Sequence, residues 1–492
     1  MTAFTVTLDG LATDIRLPDH GGPFPAVLVR TPYDRLRHGA ELRGWARRGF
    51  AAVAQDVRGR HASAGEWRPY RNEAADGAAA ARWVRGQTWS DGRLVAAGAS
   101  YAAYCALVLA WEEPVAGGAD AVIAAVPALG IAETAREPSG VERLAARAGW
   151  WAAHGDRRDS DERALDKALA TDPGLLAHTP VSGLPARLGR ALPSWPGVWR
   201  AVRGPVDAWS RPTGSPLLAV GGHHDHFARE TVALWRHWNG PSARLLMGPW
   251  DHRLTAGPGA DARPRHRVRL GELYADWTRL ALAGKTATGH HGAVALGGSP
   301  LWLPAGTAGE PHSHALRPLR GASFTADPER PAHSGTLTVP TGGVPDRCLL
   351  VTPPLTRPLD ILGAAEVRLR ATAWTPHADW FARLVALAPG GTAERLALGT
   401  VRRADQPGRP AEFTVPLGRL ARRLAAGTRL RLEITGHHFP AHARNPHSGD
   451  DPVTATRLLP SRREVDTGRV ALRLPALRSL PAPTDPATEI LR

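Results

Sequence analysis

The stretch Leu94–Ala110, LVAAGASYAAYCALVLA, decides how this chain is read. Leu94 to Ala97 is a short apolar run of the buried-strand type. Gly98-Ala99-Ser100-Tyr101-Ala102 interrupts it, and a helix-permissive run follows to Ala110. A strand that turns abruptly into a helix, with serine at the apex and small residues around it, has the form of a nucleophile elbow. The small residues have a steric reason. Ser100 must occupy a tight, strained turn for its hydroxyl to stand clear, and bulky neighbours would collide as strand and helix close together. The start of the helix then aims backbone N–H groups at an oxygen that gains charge during acyl transfer. The elbow pattern is G-x-S-x-G, and here its last position is Ala102, the smallest residue that carries a Cβ. Taken alone, the motif does not separate a nucleophile from an ordinary small-residue turn.

Around this stretch apolar strands alternate with helical segments. Thr5 to Leu17 reads as a strand pair about the turn Asp9-Gly10. PAVLVR (Pro25 to Arg30) is a buried strand that ends at Thr31-Pro32-Tyr33, where Pro32 stops ladder pairing. FAAVAQD (Phe50 to Asp56) is another, followed by Val57-Arg58-Gly59, and Asn72 to Val84 is helical. After the elbow come a strand at Ala121 to Val126, a strand at Ser215 to Val220, a helix at Ala228 to Trp238 and a strand at Ala243 to Met247. Ala243 to Met247 is the expected last strand of the sheet, and the amphipathic Leu270 to Ala283 its closing helix. This alternation implies a parallel sheet covered on both faces. Between Ile131 and Thr213 the strands stop. Val141 to His154, Ser160 to Ala170 and Leu184 to Leu192 read as helices of an all-helical insertion. Gly284 to Thr341, rich in Gly, Pro and His, reads as connecting structure. Beyond it Ala365 to Trp374, Arg429 to Thr435 and Arg469 to Leu474 alternate apolar and polar residues, as half-buried antiparallel strands of a sandwich or jelly roll do. The expected division is 1–130 with 214–285 for the sheet domain, 131–213 for a helical cap, and 286–492 for the all-β domain.

Composition narrows the functional classes. The 492 residues exceed one ordinary domain, and a 43% hydrophobic share with 17 Trp suffices for several cores. A net charge of +15 invites a nucleic-acid reading, but only Lys167 and Lys285 are lysines, and the arginines are scattered without a dense basic run. A compositional arginine bias is the simpler account, so no nucleic-acid partner is expected. No apolar run is long enough to span a membrane, and Met1 to Gly10 is unlike a signal peptide; a cytoplasmic location with no membrane partner is expected. Cys105 and Cys348, far apart, suggest neither a disulfide framework nor a metal ribbon.

A serine nucleophile needs a base and a group that orients the base. Ser100 follows the strand ending at Ala97, Asp225 follows the strand ending at Val220, and His252 follows the strand ending at Met247. Three residues of the required types, in the order Ser, acid, His, each just past a sheet strand, are far more specific than any single motif. The run His223-His224-Asp225-His226 also suggests a metal site. Adjacent residues at a strand end point to opposite sides, however, so one ion could not easily collect His223 and His224 together. No metal and no other cofactor is expected.

At this point the sequence resembles a known family: the α/β-hydrolases related to cocaine esterase, the X-Pro dipeptidyl-peptidases and the α-amino acid ester hydrolases. The resemblance rests on Asp9-Gly10, Arg30-Thr31-Pro32-Tyr33, Asp56-Val57-Arg58-Gly59 with Ser63 and Gly65, Trp89-Ser90-Asp91-Gly92 and Gly98-Ala99-Ser100-Tyr101. It continues through Gly222-His223-His224-Asp225-His226-Phe227 and Gly248-Pro249-Trp250-Asp251-His252 to Pro354-Leu355, Gly363, Phe439-Pro440 and Arg444-Asn445. It implies an α/β-hydrolase sheet, a helical cap inserted after its sixth strand, and a C-terminal all-β jelly-roll domain of galactose-binding-like type. It further implies Ser100 as nucleophile, His252 as base and Asp225 as acid, with the Tyr33 hydroxyl and the Tyr101 backbone N–H as oxyanion donors. The activity implied is cleavage of a small ester, an amide or a short peptide, including X-Pro dipeptidyl bonds, through an acyl-enzyme. A homo-oligomer stays open. Two positions depart from the family pattern, Ala102 for a usual glycine and His223 for a common Trp.

Other readings stand beside these. Tyr33 also fits a turn residue packed on the sheet, Asp56 and Arg58 fit a structural ion pair, and Trp250 fits a packing residue. Glu133, Glu137, Glu142 and Asp156 lie in the insertion, where relatives that recognise a free α-amino group place carboxylates, but none of the four can be given that role from sequence. A metal-dependent hydrolase using the His223–His226 cluster, and a non-catalytic carbohydrate-binding protein, are the competing functions.

Overall fold

The structure is a computed structural model and describes residues 1–112, 116–202, 209–339 and 344–492. Strand β1 (Ala3–Leu8) turns at Asp9-Gly10 and pairs antiparallel with β2 (Leu11–Arg16). Then come β3 (Phe24–Thr31), α1 (Gly39–Arg47), β4 (Ala51–Asp56), α2 (Glu73–Arg85), β5 (Ser90–Ala99), α3 (Tyr101–Leu107) and β6 (Ala121–Ala125). An insertion carries α4 (Ile131–Ala135), α5 (Leu144–His154), α6 (Ala164–Thr171), α7 (Leu184–Arg187) and α8 (Trp195–Arg200). The sheet resumes with β7 (Leu217–Gly222), α9 (Ala228–His237) and β8 (Ser242–Gly248). A short ribbon of β9 (Trp250–Asp251) and β10 (Leu254–Pro258), α10 (Leu270–Leu282), β11 (Gly289–Ala295) and β12 (Trp302–Pro304) follow, and the chain ends in α11 (Pro486–Leu491). The main sheet has ten strands in the order β1-β2-β4-β3-β5-β6-β7-β8-β11-β12. From β4 to β11 all neighbours are parallel.

The apolar runs are continuous because both faces of this sheet are buried. Along β3, Ala26 and Leu28 enter one core with residues of α2, α3 and α9, while Val27 and Val29 enter another with residues of α1, α10 and α11. Leu94 and Ala96 of β5 divide from Val95 and Ala97 in the same way, as the two-residue strand period requires.

The expected boundary at 285/286 is displaced. Ala243 to Met247 is not the last sheet strand: β11 pairs parallel to β8, β12 pairs antiparallel to β11, and α11 packs against α10, β8 and β11. The Gly-rich stretch from Gly284 to Thr341 likewise contains strands, among them β11 and β12, Glu310–His314 and Ser323–Ala326. Its Gly, Pro and His content hid them because edge strands and short strands carry little apolar periodicity.

The all-β part comprises a six-stranded and a five-stranded sheet; the six include Ala411–Leu424, which pairs with Leu359–Ala373. Arg429–Thr435 is a strand, but beyond the exposed Arg429 its polar face is buried. Glu433 is fully buried and accepts from Arg347 at 2.9 Å, Arg383 at 2.5 Å and Arg431 at 2.9 Å. Three guanidinium groups replace the water that alternation alone predicts. The loop after this strand grips the helical insertion: Ala145 N donates to Pro440 O at 3.2 Å, Ala443 N to Glu142 O at 3.0 Å, and His442 Nε2 lies 3.1 Å from Glu137 Oε1. Arg402 adds an ion pair to Glu142 at 2.8 Å. The insertion is therefore clamped between two domains. No helix among the described residues is long and apolar enough to cross a membrane.

Burial also sets an acid limit on stability. His154 and His447 are nearly inaccessible, and desolvation pushes both down to about 4. In the unfolded chain an ordinary histidine takes up its proton near 6.5. Below that pH the unfolded state binds more protons than the native one, so stability falls as pH drops toward 4, by about 1.4 kcal/mol per pH unit for each such group. Urea unfolding at pH 7.5 and pH 5 is expected to show a lower midpoint at pH 5 with an unchanged denaturant slope.

Candidate active site

Ser100 sits between β5 and α3 with φ 58° and ψ −122°, a conformation that L-residues rarely adopt. The turn holds because its backbone is bonded on both sides: Ser100 N donates to Ala125 O at 3.0 Å, and Ala128 N donates to Ser100 O at 3.2 Å. Gly98 explains the tightness. A Cβ there would lie 2.3 Å from the Ala102 carbonyl carbon and oxygen, so strand and helix touch backbone to backbone. Since Gly98 has no side chain, the methyl of Ala102 is accommodated where the family pattern has glycine.

The loops carrying Asp225 and His252 leave the ends of β7 and β8. His223 N donates to Gly248 O at 2.8 Å and His224 N to Trp250 O at 3.0 Å, which staples the two loops together. Gly222 permits this approach, because a Cβ there would meet Trp250 O at 2.1 Å. His252 Nδ1 is 2.8 Å from Asp225 Oδ1, and the Asp225 side chain is fully buried. His226 Nδ1 lies 3.2 Å from the same oxygen, and its ring centroid is 4.7 Å from that of His252. Desolvation lowers the proton affinity of His226, which keeps it a neutral donor to the carboxylate. Asp225, His226 and His252 hold ligand atoms within 4.8 Å of one another. His223 and His224 diverge from them: His223 Nε2 lies 3.1 Å from Ala295 O, and His224 Nε2 lies 2.6 Å from Asp261 Oδ1. The four-residue cluster considered as a metal site is thus not assembled.

Tyr33 comes from the loop after β3, and its phenol oxygen is 3.4 Å from Ser100 Oγ. Trp150 Nε1 of α5 donates to that oxygen at 3.2 Å, and the Tyr101 backbone N–H approaches it as well. With Trp150 donating to its oxygen, the phenol keeps its own proton available to donate toward Ser100. Burial raises the proton affinity of Tyr33, so the group stays a neutral donor. Tyr33 is therefore not only a packing residue of the turn. The Tyr101 ring stacks on Trp150 with centroids 5.9 Å apart, and its hydroxyl donates to the buried Glu73.

These groups share one cavity of about 800 Å³, lined by Tyr33, Ser100, Tyr101, His226 and His252 from the sheet side and by Arg147, Trp150, His154 and Leu165 from the insertion. Arg147 and Trp150 were not singled out from sequence, and His226 was weighed there only as part of a metal cluster. Arg147, Trp150 and His154 recur at the helical three- and four-residue spacing, a signal that fixes a common face of α5 but not what the face looks toward.

One further expectation is corrected. Asp56 and Arg58 do not pair. Asp56 bonds Arg35 at 2.8 Å and Arg58 bonds Asp76 at 2.6 Å, because β4 points Asp56 back toward the loop after β3. Trp250 is buried and packs at 6.1 Å from Trp302. Of the insertion carboxylates, Glu137 is bonded to Arg143 and His442, Glu142 to Arg136 and Arg402, and Asp156 to Ser194. Glu133 folds back over Gly130 at the start of its own helix. None of the four lines the cavity.

A helix-roofed cavity at the carboxyl ends of parallel strands, with a serine on a strained strand-to-helix turn at its floor, defines the fold and site of an α/β-hydrolase of the serine type. The family model for the X-Pro dipeptidyl-peptidase (S15 family) matches residues 9–253, and that for the X-Pro dipeptidyl-peptidase C-terminal non-catalytic domain matches residues 307–472. The chain belongs to this S15 family and is a serine hydrolase. It is 27% identical to the cocaine esterase of Rhodococcus sp. (strain MB1 Bresler) over 89% of this chain and 90% of that protein. In fold it is similar to an α-amino acid ester hydrolase, with a TM-score of 0.77 at 18% identity over 96% of both chains. An aminopeptidase from the marine sediment archaeon Thaumarchaeota archaeon gives a TM-score of 0.74 at 17% identity over 97% of this chain and 96% of that one.

Proposed function

We propose that the chain hydrolyses small-molecule esters through an acyl-enzyme on Ser100, with His252 as general base and acid and Asp225 as its orienting carboxylate. The carrying observation is the 2.8 Å bond from His252 Nδ1 to the buried Asp225, in a cavity that also holds the strained Ser100. That bond fixes the His252 tautomer with Nδ1 protonated, which frees Nε2 to take the Ser100 proton. Ser100 Oγ attacks the carbonyl, the new oxyanion accepts from Tyr33 OH and Tyr101 N–H, and His252 returns the proton to the leaving alcohol. Water then repeats the sequence on the acyl-enzyme. Ester cleavage is placed ahead of removal of X-Pro dipeptides on the 27% identity to a cocaine esterase over 89% of this chain; carboxylates for a terminal ammonium are not lacking, since Glu41, Glu162 and Asp166 line the cavity.

A fluorophosphonate is expected to label the wild-type protein once and the Ser100→Ala variant not at all, while a chelator leaves turnover unchanged. Labelling that persists in Ser100→Ala, or turnover lost on chelation, overturns the assignment. Aryl esters, α-amino acid esters and X-Pro-anilides compared side by side are expected to rank with the esters first.

Tyr33→Phe isolates the oxyanion role. The ring and its packing remain and only the donor is lost. One such donor contributes about 3 kcal/mol, so kcat is expected to fall about a hundredfold or more with little change in Tm. Wild-type turnover in Tyr33→Phe would leave the oxyanion to backbone donors.

A further inference from the structure

Arg147 lines the catalytic cavity and has no part in the acyl-transfer chemistry. It lies on α5 one turn before Trp150, with 5% of its surface accessible. Its Nε is buried without a partner, and among the described residues its guanidinium forms no hydrogen bond or ion pair. Arg143, one turn earlier on the helix, holds Glu137 at 2.9 Å and Glu230 at 3.1 Å. Glu41, Glu162 and Asp166 also line the cavity, but Glu41 is bonded to His38 and Glu162 to Arg37, and none of the three is bonded to Arg147. The charged or titrating groups acting on Arg147 are Tyr70, Tyr33 and Arg143, none of them a carboxylate. Burial lowers it to about 10, so it remains a cation at neutral pH.

A buried cation without a counter-ion destabilises a fold, and a Leu or Met would fill the same position on a helix face at no electrostatic cost. Such a group is accounted for when an anion enters the cavity beside it. The planar guanidinium fork matches the two oxygens of a carboxylate. Its position is informative too. Arg147 acts on the phenol of Tyr33, whose oxygen is 3.4 Å from Ser100 Oγ, and on the ring of His226 beside His252. An anion on Arg147 therefore lies in the same cavity as a carbonyl placed on Ser100.

We propose that Arg147 is a specificity-determining residue that binds a carboxylate carried by the substrate inside the cavity, so that the preferred esters are anionic. The proposal rests on the serine-hydrolase reading of this cavity, and the carboxylate can belong to the acyl part or to the alcohol part.

Three substrates separate these cases: ethyl hexanoate as the neutral reference, monoethyl adipate with the carboxylate on the acyl side, and O-butyryl-glycolate with it on the alcohol side. The ratio of kcat/KM, anionic over neutral on one preparation, cancels the active-site concentration. In one of the two anionic arms the wild-type ratio is expected to be tenfold or more. It should fall at least tenfold in Arg147→Met and recover in part in Arg147→Lys, with the Tm of Arg147→Met no lower than that of the wild type. A ratio near one in both arms, or a ratio unchanged in Arg147→Met, overturns the proposal.

A binding arm separates this failure from failure of the catalytic reading. In the Ser100→Ala background, calorimetry should show the preferred anionic ester bound at least tenfold more tightly than ethyl hexanoate, and the difference lost in Ser100→Ala/Arg147→Met. Equal binding of neutral and anionic esters overturns the proposal even where turnover is normal. Tight Arg147-dependent binding supports it even where turnover fails.

Discussion

His252→Ala, Ser100→Ala and the double variant are each expected to lower kcat by about 10⁶-fold, and the double variant no further than either single one. The reason is that in the proposed mechanism the two groups act as one unit. Ser100 Oγ is a poor nucleophile while it keeps its proton, and His252 has no function without that proton to take. Removing either leaves only the oxyanion donors and the cavity to favour reaction. The fold is expected to survive. The His252 side chain is 35% exposed, so its loss opens no buried void. The Ser100 hydroxyl can be removed without changing the bonds from Ser100 N to Ala125 O and from Ala128 N to Ser100 O. Steady-state kinetics on variants with wild-type circular dichroism checks this. A His252→Ala variant within a hundredfold of wild type removes His252 from the mechanism, and additive losses in the double variant show that the two residues do not act together.

Asp225→Asn is expected to lower kcat by about 10⁴-fold at neutral pH while the protein stays folded. In the proposed mechanism the carboxylate does two things that an amide cannot. It is negative next to the imidazolium that forms as His252 takes the Ser100 proton, and it accepts at every oxygen, so it can only receive the Nδ1–H. Asparagine can turn its NH₂ toward Nδ1, which moves the imidazole proton to Nε2 and leaves no base facing Ser100. The site favours that turn, because Asp225 Oδ1 faces both His252 and His226 while Oδ2 is buried without a hydrogen-bond partner. Retention of activity within tenfold in Asp225→Asn, with His252→Ala inactive, would place the orienting role on His226 instead.

Much of the catalytic half was legible because its signals are local. The strand-turn-helix at Leu94–Ala110, the buried strand before Tyr33, and the loops after β7 and β8 each announce themselves within about ten residues. The sheet's outer edge was not legible. β11 and β12 are short and lie in a stretch rich in Gly, His and Pro, and only their pairing with β8 and with each other makes them strands. The polar face of Arg429–Thr435 misled for a related reason. Alternation predicts one wet face, and nothing local reports that Arg347 and Arg383 arrive from other strands to bury Glu433.

By itself the sequence determined the order of elements, the alternation of strands and helices, the serine on its strained turn, and the chain order Ser100, Asp225, His252, each just past a sheet strand. These follow from the residue's own backbone preferences and from the two- and 3.6-residue periods, which need no partner. Only the tertiary structure decided which groups face one another across the cavity. It brought the Tyr33 phenol to 3.4 Å from Ser100, set Trp150 on that phenol, paired Asp56 with Arg35 rather than Arg58, and left Arg147 inside the cavity with no carboxylate bonded to it. Each of these is a contact between segments far apart in the chain. Its energy depends on burial and on the charge of the partner, quantities that exist only once the helical insertion is clamped over the sheet by the all-β domain.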